Sequence, residues 1–165
     1  MLERFQRTAW HLERQPFYNV DLDAFEAWRA GDLTPPAERW PDFAAWRALI
    51  ESHTAAGRTV ERVRIETEPP TEYQLFERFT AETNNVPAGE TVRTIPTSRA
   101  QEIGLATTGA DWWLLDSQAL LVMPFDAEGN LGTVTLTTDP GDVAEAIREW
   151  RLAVEHSDDQ VVTTA

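Results

Sequence analysis

The sequence contains no cysteine and no lysine, and each absence excludes whole classes of chemistry. Without cysteine there is no disulfide, no thiolate nucleophile and no cysteine-ligated zinc or iron–sulfur centre. Without lysine there is no Schiff-base chemistry and no P-loop lysine. All fourteen basic residues are therefore arginines, a usage that is typical of GC-rich genomes.

Basic charge is also scarce, because 28 acidic residues give the chain a net charge of -14. Such a surface repels phosphate backbones and anionic membranes, so we expect no direct binding to nucleic acid or to a membrane. The longest apolar run, Ala119 to Met123, is too short to cross a bilayer. The opening residues, 1–5, lack the basic and apolar regions of a signal peptide, so we expect a cytoplasmic protein.

The chain is nevertheless long and apolar enough to bury a core. It has 165 residues, of which 42% are hydrophobic, and it contains seven Trp and seven Phe. These values are typical of one globular domain and not of a disordered segment. We expect a single globular domain over residues 1–156, followed by a polar, acidic tail at 157–165 that frays.

Hydrophobic spacing in the N-terminal third predicts helices. A first helix is predicted before Pro16, with positions 5, 8, 9 and 12 on one face. A second helix, capped by an aspartate at position 21 or 23, is predicted to end at Gly31. A third is predicted from Phe43 to His53, with Gly57 as its C-terminal stop.

After Gly57 the pattern changes to the alternation that is typical of strands. A strand is predicted over 58–67, with Val63 and Ile65 on one face and Arg62 and Arg64 on the other. The capping-box pattern at 71–74 predicts a helix, and 84–89 is interpreted as a loop. A second strand is predicted over 90–95, and a short helix with a cap at Ser98 follows.

The last third has the pattern of an antiparallel meander. Strands are predicted over 112–115, 119–125 and 131–137, with a turn at 126–130. Asp139 and Pro140 then supply a cap and an N1 proline for a final helix. The predicted fold class is α+β, with N-terminal helices, a roughly five-stranded, mainly antiparallel sheet, and a C-terminal closing helix.

Arg62 and Arg64 are the first candidate site residues, because their spacing places both guanidinium groups on one strand face. A guanidinium group binds carboxylate or phosphate through two parallel hydrogen bonds, so the pair is a plausible anion clamp. The alternative is an exposed sheet face on which the arginines pair across strands with Glu66 or Glu90.

Glu90 and Arg93 lie at the start of the second predicted strand, directly after Gly89. The glycine predicts a backbone conformation or a close approach that a side chain would block. One hypothesis joins Glu90 and Arg93 to the first arginine pair in a single polar cluster. The other is a structural ion pair that orders the loop at 84–89.

The segment from Asp111 to Asp116 places two tryptophans side by side. Neighbouring strand residues face opposite ways, so Trp112 and Trp113 do not enter the same core. We expect one indole under the terminal helix, and the other either to line a groove or to be covered by the N-terminal helices. Asp111 and Asp116 fall on opposite faces of a regular strand and are not interpreted as a carboxylate dyad.

Conventional catalytic motifs are absent. The three histidines, His11, His53 and His156, do not form a metal-binding pattern. No serine lies in a G-x-S-x-G motif, and no glycine-rich phosphate loop precedes a helix. We therefore predict no catalytic residue, no metal ligand and no cofactor.

One ordered series of motifs runs through most of the chain: Ala9-Trp10-His11-Leu12-Glu13 with Tyr18, Gly57-Arg58, Arg62-Val63-Arg64, Glu68-Pro69 with Tyr73 and Phe76, Ala88-Gly89-Glu90 with Arg93, and Asp111-x-Trp113-Leu114-x-Asp116. Over roughly residues 5 to 155 this series resembles an uncharacterised actinobacterial domain family of unknown function. Members of that family are often encoded beside helix-turn-helix regulators, so the resemblance implies a regulatory role.

Two functions are expected from these observations. The first is a non-enzymatic, acidic regulatory domain that binds a protein partner, such as a helix-turn-helix regulator, since an acidic surface is attracted to a basic one. The second is a small-molecule sensor or an unrecognised enzyme with a pocket for an anionic ligand. The candidate ligand- or partner-binding residues are Arg62, Arg64, Tyr73, Glu90, Arg93, Asp111, Trp113 and Asp116.

Overall fold

Six strands form one mixed sheet in the computed structural model, which describes residues 5–158. The strands are β1 (Thr8–Glu13), β2 (Thr59–Glu66), β3 (Thr91–Pro96), β4 (Asp111–Leu115), β5 (Ala119–Met123) and β6 (Thr135–Thr137). Their order is β3-β2-β1-β4-β5-β6. The first three strands are parallel to one another, whereas β1–β4, β4–β5 and β5–β6 are antiparallel pairs.

Seven α-helices connect or cover these strands in the described part of the chain. They are α1 (Leu22–Arg29), α2 (Pro36–Arg39), α3 (Pro41–Ala55), α4 (Glu72–Thr80), α5 (Val86–Ala88), α6 (Thr97–Glu102) and α7 (Pro140–His156), and a π-helical turn at Ala81–Asn85 joins α4 to α5. None of the described helices is long and apolar enough to cross a membrane.

The two sheet faces carry different cores, as the alternation of strand residues requires. On one face Leu12, Val63 and Leu114 pack with Trp150 of α7. The other face, called the cavity face below, carries Ala9, Val60 and Trp113, which pack with Ile50 of α3 and Ala88 of α5. A third cluster, mainly aromatic, lies beside the cavity face and includes Tyr18, Phe25, Tyr73 and Phe76.

The predicted fold class is confirmed as α+β with a C-terminal helix, but the sheet differs from the prediction. It has six strands instead of about five, and it is mixed instead of mainly antiparallel. The largest error is at 8–13, where the predicted first helix is the central strand β1. Because β1 is buried on both faces between β2 and β4, its apolar residues do not follow a simple alternation.

The predicted helices over the next segments are confirmed, with small changes at their ends. Thr71 and Gln74 form both hydrogen bonds of the predicted capping box, and Asp139 accepts hydrogen bonds from the first backbone amides of α7. Asp21 occupies the cap position of α1 but makes no side-chain cap there. The cap of α6 is Pro96 and not Ser98.

Two further predicted boundaries are wrong. The predicted loop at 84–89 is largely helical, because the π-helical turn and α5 continue the chain from α4. The third strand of the meander begins at Thr135 instead of Leu131, although Leu131 forms an isolated bridge with Phe125. Residues 159–165 of the predicted tail lie outside the described residues.

Gly89 and the tandem tryptophans behave as predicted. Gly89 has φ +102, and a Cβ atom there would lie 2.7 Å from Thr54 Cγ2. Trp112 packs under α7, with its ring centroid 6.3 Å from that of Trp150, and its Nε1 donates to Glu149 at 3.0 Å. Trp113 faces the opposite way, onto the cavity face.

Candidate functional site

Four polar side chains lie next to one another on the cavity face of the parallel neighbours β1 and β2. His11 pairs in register with Arg62, and Glu13 pairs with Arg64. All four residues are less than a tenth exposed. Because a buried charge requires a partner, the contacts among these residues decide what the arrangement can do.

Glu13 neutralises both arginines. Arg62 Nη1 donates to Glu13 Oε1, and Arg64 Nε donates to Glu13 Oε2. Although burial raises the pKa of Glu13, Arg62 and Arg64 lower it to about 2, so that the carboxylate is charged at neutral pH. Arg62 Nε also donates to Glu90 at 2.8 Å, and Arg64 Nη1 donates to the Glu77 carbonyl at 3.0 Å.

Glu90 connects this ion cluster to the helices that cover it. Its Oε2 accepts a hydrogen bond of 2.7 Å from Asn85 Nδ2 and a longer one of 3.4 Å from Trp46 Nε1. The Arg62 guanidinium lies over the rings of both Trp46 and Trp113, at 5.9 and 5.8 Å from their centroids. The arginines are therefore held in place before any ligand binds.

His11 is the unsatisfied member of the group. Its ring stacks on Trp113 with centroids 4.1 Å apart, and Nδ1 lies 3.3 Å from Glu13 Oε1 outside hydrogen-bonding geometry. Neither ring nitrogen has a hydrogen-bond partner among residues 5–158. Burial lowers the pKa of His11 to about 3, an effect that Glu13 only partly opposes, so the imidazole is neutral at physiological pH.

Asp111 adds a buried carboxylate beside the end of β1. It accepts hydrogen bonds from Tyr18 Oη at 2.5 Å, from the Arg14 backbone amide at 2.8 Å and from Gln15 Nε2 at 3.2 Å. Burial raises the pKa of Asp111 to about 6. No arginine in the described part of the chain forms an ion pair with it; the Arg14 side chain pairs with Glu149 instead.

Glu77 on α4 supplies a second carboxyl group with a raised pKa. Its Oε1 lies 3.3 Å from Arg64 Nη2, yet burial outweighs this attraction and raises the pKa of Glu77 to about 8. Asp111 and Glu77 can therefore each hold or release a proton near neutral pH.

A cavity of about 370 Å³ lies above these polar groups. His11, Glu13, Arg62, Arg64 and Asp111 form its floor. Its exposed lining residues, which form the mouth, are Val20, Asp21, Asp42 and Leu131. Its walls are mainly aromatic and come from Tyr18, Phe43, Trp46, Tyr73, Phe76 and Phe125, with Met123, Thr80, Asn85 and Glu77 between them.

The structure brings half of the predicted site residues to this cavity. Arg62, Arg64, Tyr73 and Asp111 line it. The exposed sheet face that was the alternative to an anion clamp is not observed, because both arginines are buried. The expected pairing of Arg62 with Glu90 is present, and the pairing of Arg64 is with Glu13.

The other predicted residues lie behind or away from the cavity. Glu90 supports Arg62 from behind, and Trp113 lies beneath His11, covered by Trp46 of α3. Arg93 is in register with Val63, so it belongs to the opposite sheet face and not to the predicted cluster.

Asp116 has a structural role at the turn between β4 and β5. Its carboxylate accepts hydrogen bonds from the backbone amides of Gln6, Arg7 and Thr8 at 2.7–3.0 Å. These bonds lower the pKa of Asp116, although burial raises it, and they fix the chain that leads into β1. Asp116 does not line the cavity.

Sequence reasoning missed His11, Glu13 and Glu77 as site residues. The error at 8–13 explains the first two, because an i, i+2 pair shares a face only if the segment is a strand. Within residues 5–158 no group of three or more metal-ligating side chains is placed to hold a metal ion.

The fold and the site together define an α+β domain with a mixed six-stranded sheet and a cavity over a buried ion cluster. A family model described as "Domain of unknown function (DUF6879)" matches residues 1–160, so the chain belongs to this family. The resemblance to an uncharacterised domain family is thereby confirmed. A comparison with curated proteins gives no match.

Proposed function

We propose that this domain is a non-enzymatic sensor that binds a small molecule in the cavity above β1 and β2. The observation that carries the proposal is His11, a buried imidazole that lines the cavity and has no hydrogen-bond partner among the described residues. A buried polar group without a partner costs free energy, and a ligand that bonds to it recovers that cost.

The size and lining of the cavity support the same proposal. A volume of about 370 Å³ lies in the range of about 300–1,000 Å³ that is usual for small-molecule sites. Mainly aromatic walls with a few convergent polar groups are also usual for such sites. The floor is rigid, because Glu13 and Glu90 fix the two arginines, so a ligand meets a preformed surface.

The anion clamp expected from the arginine pair receives no support from this geometry. Both guanidinium groups are already bonded to carboxylates, and an anionic ligand would have to compete with Glu13. Arg62 and Arg64 are therefore assigned to the framework of the site.

A ligand screen by thermal unfolding tests the proposal. At about 100 times its Kd a ligand stabilises the native state by about 2.7 kcal/mol, which raises Tm by about 5–10 °C in a domain of this size. Val20→Trp should abolish the shift, because Val20 is 45% exposed and lines the mouth of the cavity. Leu33→Trp, at a position that is 67% exposed and away from the cavity, is the matched control.

The proposal fails if no compound in a broad metabolite library shifts Tm. It also fails if the compounds that do so act equally on the Val20→Trp variant, because binding would then lie elsewhere. Hits that are lost in Val20→Trp and kept in Leu33→Trp support it.

We further propose that the domain acts in the cytoplasm on a protein partner, in keeping with the regulatory role that the family resemblance implies. The resemblance also suggests an actinobacterial source and a helix-turn-helix regulator as the partner. The net charge of -14 supports a basic partner. Leu136 on the edge strand β6 and Leu131 at the cavity mouth are both about half exposed and are available for contact with a partner.

Co-purification from the native host at low salt tests the partner. A regulator that is recovered at low salt and released at high salt supports the proposal, since contacts between exposed charges are screened by salt. Recovery of no regulator under low-salt conditions contradicts it.

A further inference from the structure

We propose that the ligand of the cavity is an organic cation, a protonated amine on an aromatic or apolar body. This inference rests on the proposed function, because it names the chemical class of the small molecule. Four features of the site support it: the balance of charge, the acceptor at His11, the aromatic walls and the acidic mouth.

Carboxyl groups outnumber guanidinium groups around the cavity. Five carboxyl groups and two arginines line it. Glu13 and Glu90 already balance the arginines, and Glu77 faces Arg64. The charges of Asp21, Asp42 and Asp111 remain, and these three residues have no ion-pair partner within residues 5–158. A cationic ligand supplies the missing positive charge.

His11, which lines the cavity, adds a hydrogen-bond acceptor. Its Nδ1 lies 3.3 Å from Glu13 Oε1, an atom that only accepts hydrogen bonds, so we assign the ring proton to Nδ1 on the basis of this proximity. Nε2 then carries a lone pair and has no partner among the residues that the structure describes. A ligand with an N–H donor satisfies this atom, whereas a carboxylate or phosphate repels it.

The walls suit a cation with an apolar body. Trp46, Tyr73 and Phe76 line the cavity, and the faces of aromatic rings attract cations electrostatically. Trp46 already has one such contact on the floor, with the Arg62 guanidinium 5.9 Å from its ring centroid. The same rings exclude water from the ligand body, which favours apolar groups there.

The mouth attracts positive charge. Asp21 and Asp42 are both exposed and both line the cavity. Partial burial raises the pKa of Asp21, and repulsion by the charge of Asp42 raises it further. A cation that enters between them relieves this repulsion and is concentrated at the mouth by the net charge of -14.

Three probes of similar shape separate the ligand classes: 2-phenylethylammonium, 2-phenylethanol and 3-phenylpropionate. Binding is measured by the fluorescence of the intact protein, with calorimetry as confirmation. We expect the ammonium to bind about tenfold or more tightly than the alcohol, since a hydrogen bond that involves a charged group is stronger than a neutral one. The propionate should bind most weakly.

Charge variants locate the effect. Asp21→Asn combined with Asp42→Asn should weaken the binding of the ammonium by about threefold or more, because exposed charges are partly screened. The affinity for the alcohol should not change. Glu155→Gln removes one charge from an exposed position of α7 that does not line the cavity, and it is the control for each of the two single Asp→Asn variants. Capped lysine, as Nα-acetyl-lysine methylamide, is a further probe. If it binds more tightly than 2-phenylethylammonium, the cation is assigned to a side chain of a protein partner.

The outcomes distinguish this inference from the proposed function. If the alcohol or the propionate binds as tightly as the ammonium or more tightly, and Val20→Trp abolishes this binding, the ligand is not a cation. The small-molecule site itself is then still supported. Ammonium binding that survives in Val20→Trp overturns the location. If none of the probes binds, the inference fails, and the library screen alone then decides the proposed function.

Discussion

Replacing Glu13 by glutamine keeps the size of the side chain but removes the charge that Arg62 and Arg64 share. Although burial raises the pKa of Glu13, the arginines lower it from 4.5 to about 2. At about 1.4 kcal/mol per pKa unit this difference corresponds to about 3 kcal/mol of folding free energy at neutral pH. Because two buried arginines lose their shared partner, we expect Glu13→Gln to cost about 3–5 kcal/mol.

The assay is urea unfolding at pH 7, followed by tryptophan fluorescence. Glu145→Gln is the control, because Glu145 forms an exposed pair with Arg148 three residues later. Exposed pairs of this kind contribute about 0–1 kcal/mol. Circular dichroism of each variant establishes that the fold is retained before the free energies of unfolding are compared.

The pH dependence provides an independent check. The folded-state pKa of Glu13 lies below the unfolded value, so its contribution is present above pH 4.5 and is lost as the pH falls towards 2. The difference in the free energy of unfolding between the wild type and Glu13→Gln should therefore decrease as the pH falls from 4.5 towards 2. A difference below about 1 kcal/mol at pH 7 would refute the reasoning, as would one that does not change with pH, because the carboxylate would then not hold the arginines.

Three other predictions concern the core, the buried histidine and DNA. Trp150→Ala should cost about 3–5 kcal/mol in the same assay, because Trp150 is 5% exposed and stacks on Trp10; a cost below about 1 kcal/mol would place it outside the core. The free energy of unfolding of the wild type should decrease as the pH falls from 6.5 to about 3, because the histidine at position 11 binds a proton in the unfolded chain but not when it is buried. His11→Gln should lack this part of the decrease. If the free energy of unfolding changes with pH equally in His11→Gln and in the wild type, His11 is not buried in its neutral form. Purified protein should not retard random duplex DNA at about 50 mM salt, and a retarded band without any added regulator would overturn the charge argument.

Elements with local signals were predictable from the sequence. The capping box at Thr71 and the cap at Asp139 are set by neighbouring residues, so α4 and α7 follow from short segments. Strand β1 has no such signal. It is held on both sides by β2 and β4, so its state depends on tertiary pairing with residues about 50 and 100 positions away, which a local window does not contain.

The candidate site was predictable only in part, because local spacing identifies some of its residues and tertiary pairing determines the others. The spacing of Arg62 and Arg64 identified two of its floor residues. Their burial depends on Glu13, which lies 49 residues before Arg62 in the sequence, and on helices that fold over the sheet. Arg93 was misplaced because its face depends on the register of β3 with β2, where it is opposite Val63.

The direct test of the ligand site is the nitrogen-15 spectrum of the histidine side chains during titration with 2-phenylethylammonium at pH 7. The chain has three histidines, and His53 and His156 do not line the cavity and serve as internal controls. We predict that His11 is neutral with its proton on Nδ1. As the probe saturates the site, the Nε2 resonance of His11 should shift, whereas the resonances of His53 and His156 should not. A doubly protonated His11, or an Nε2 resonance that stays unchanged while fluorescence reports saturation, would contradict the account.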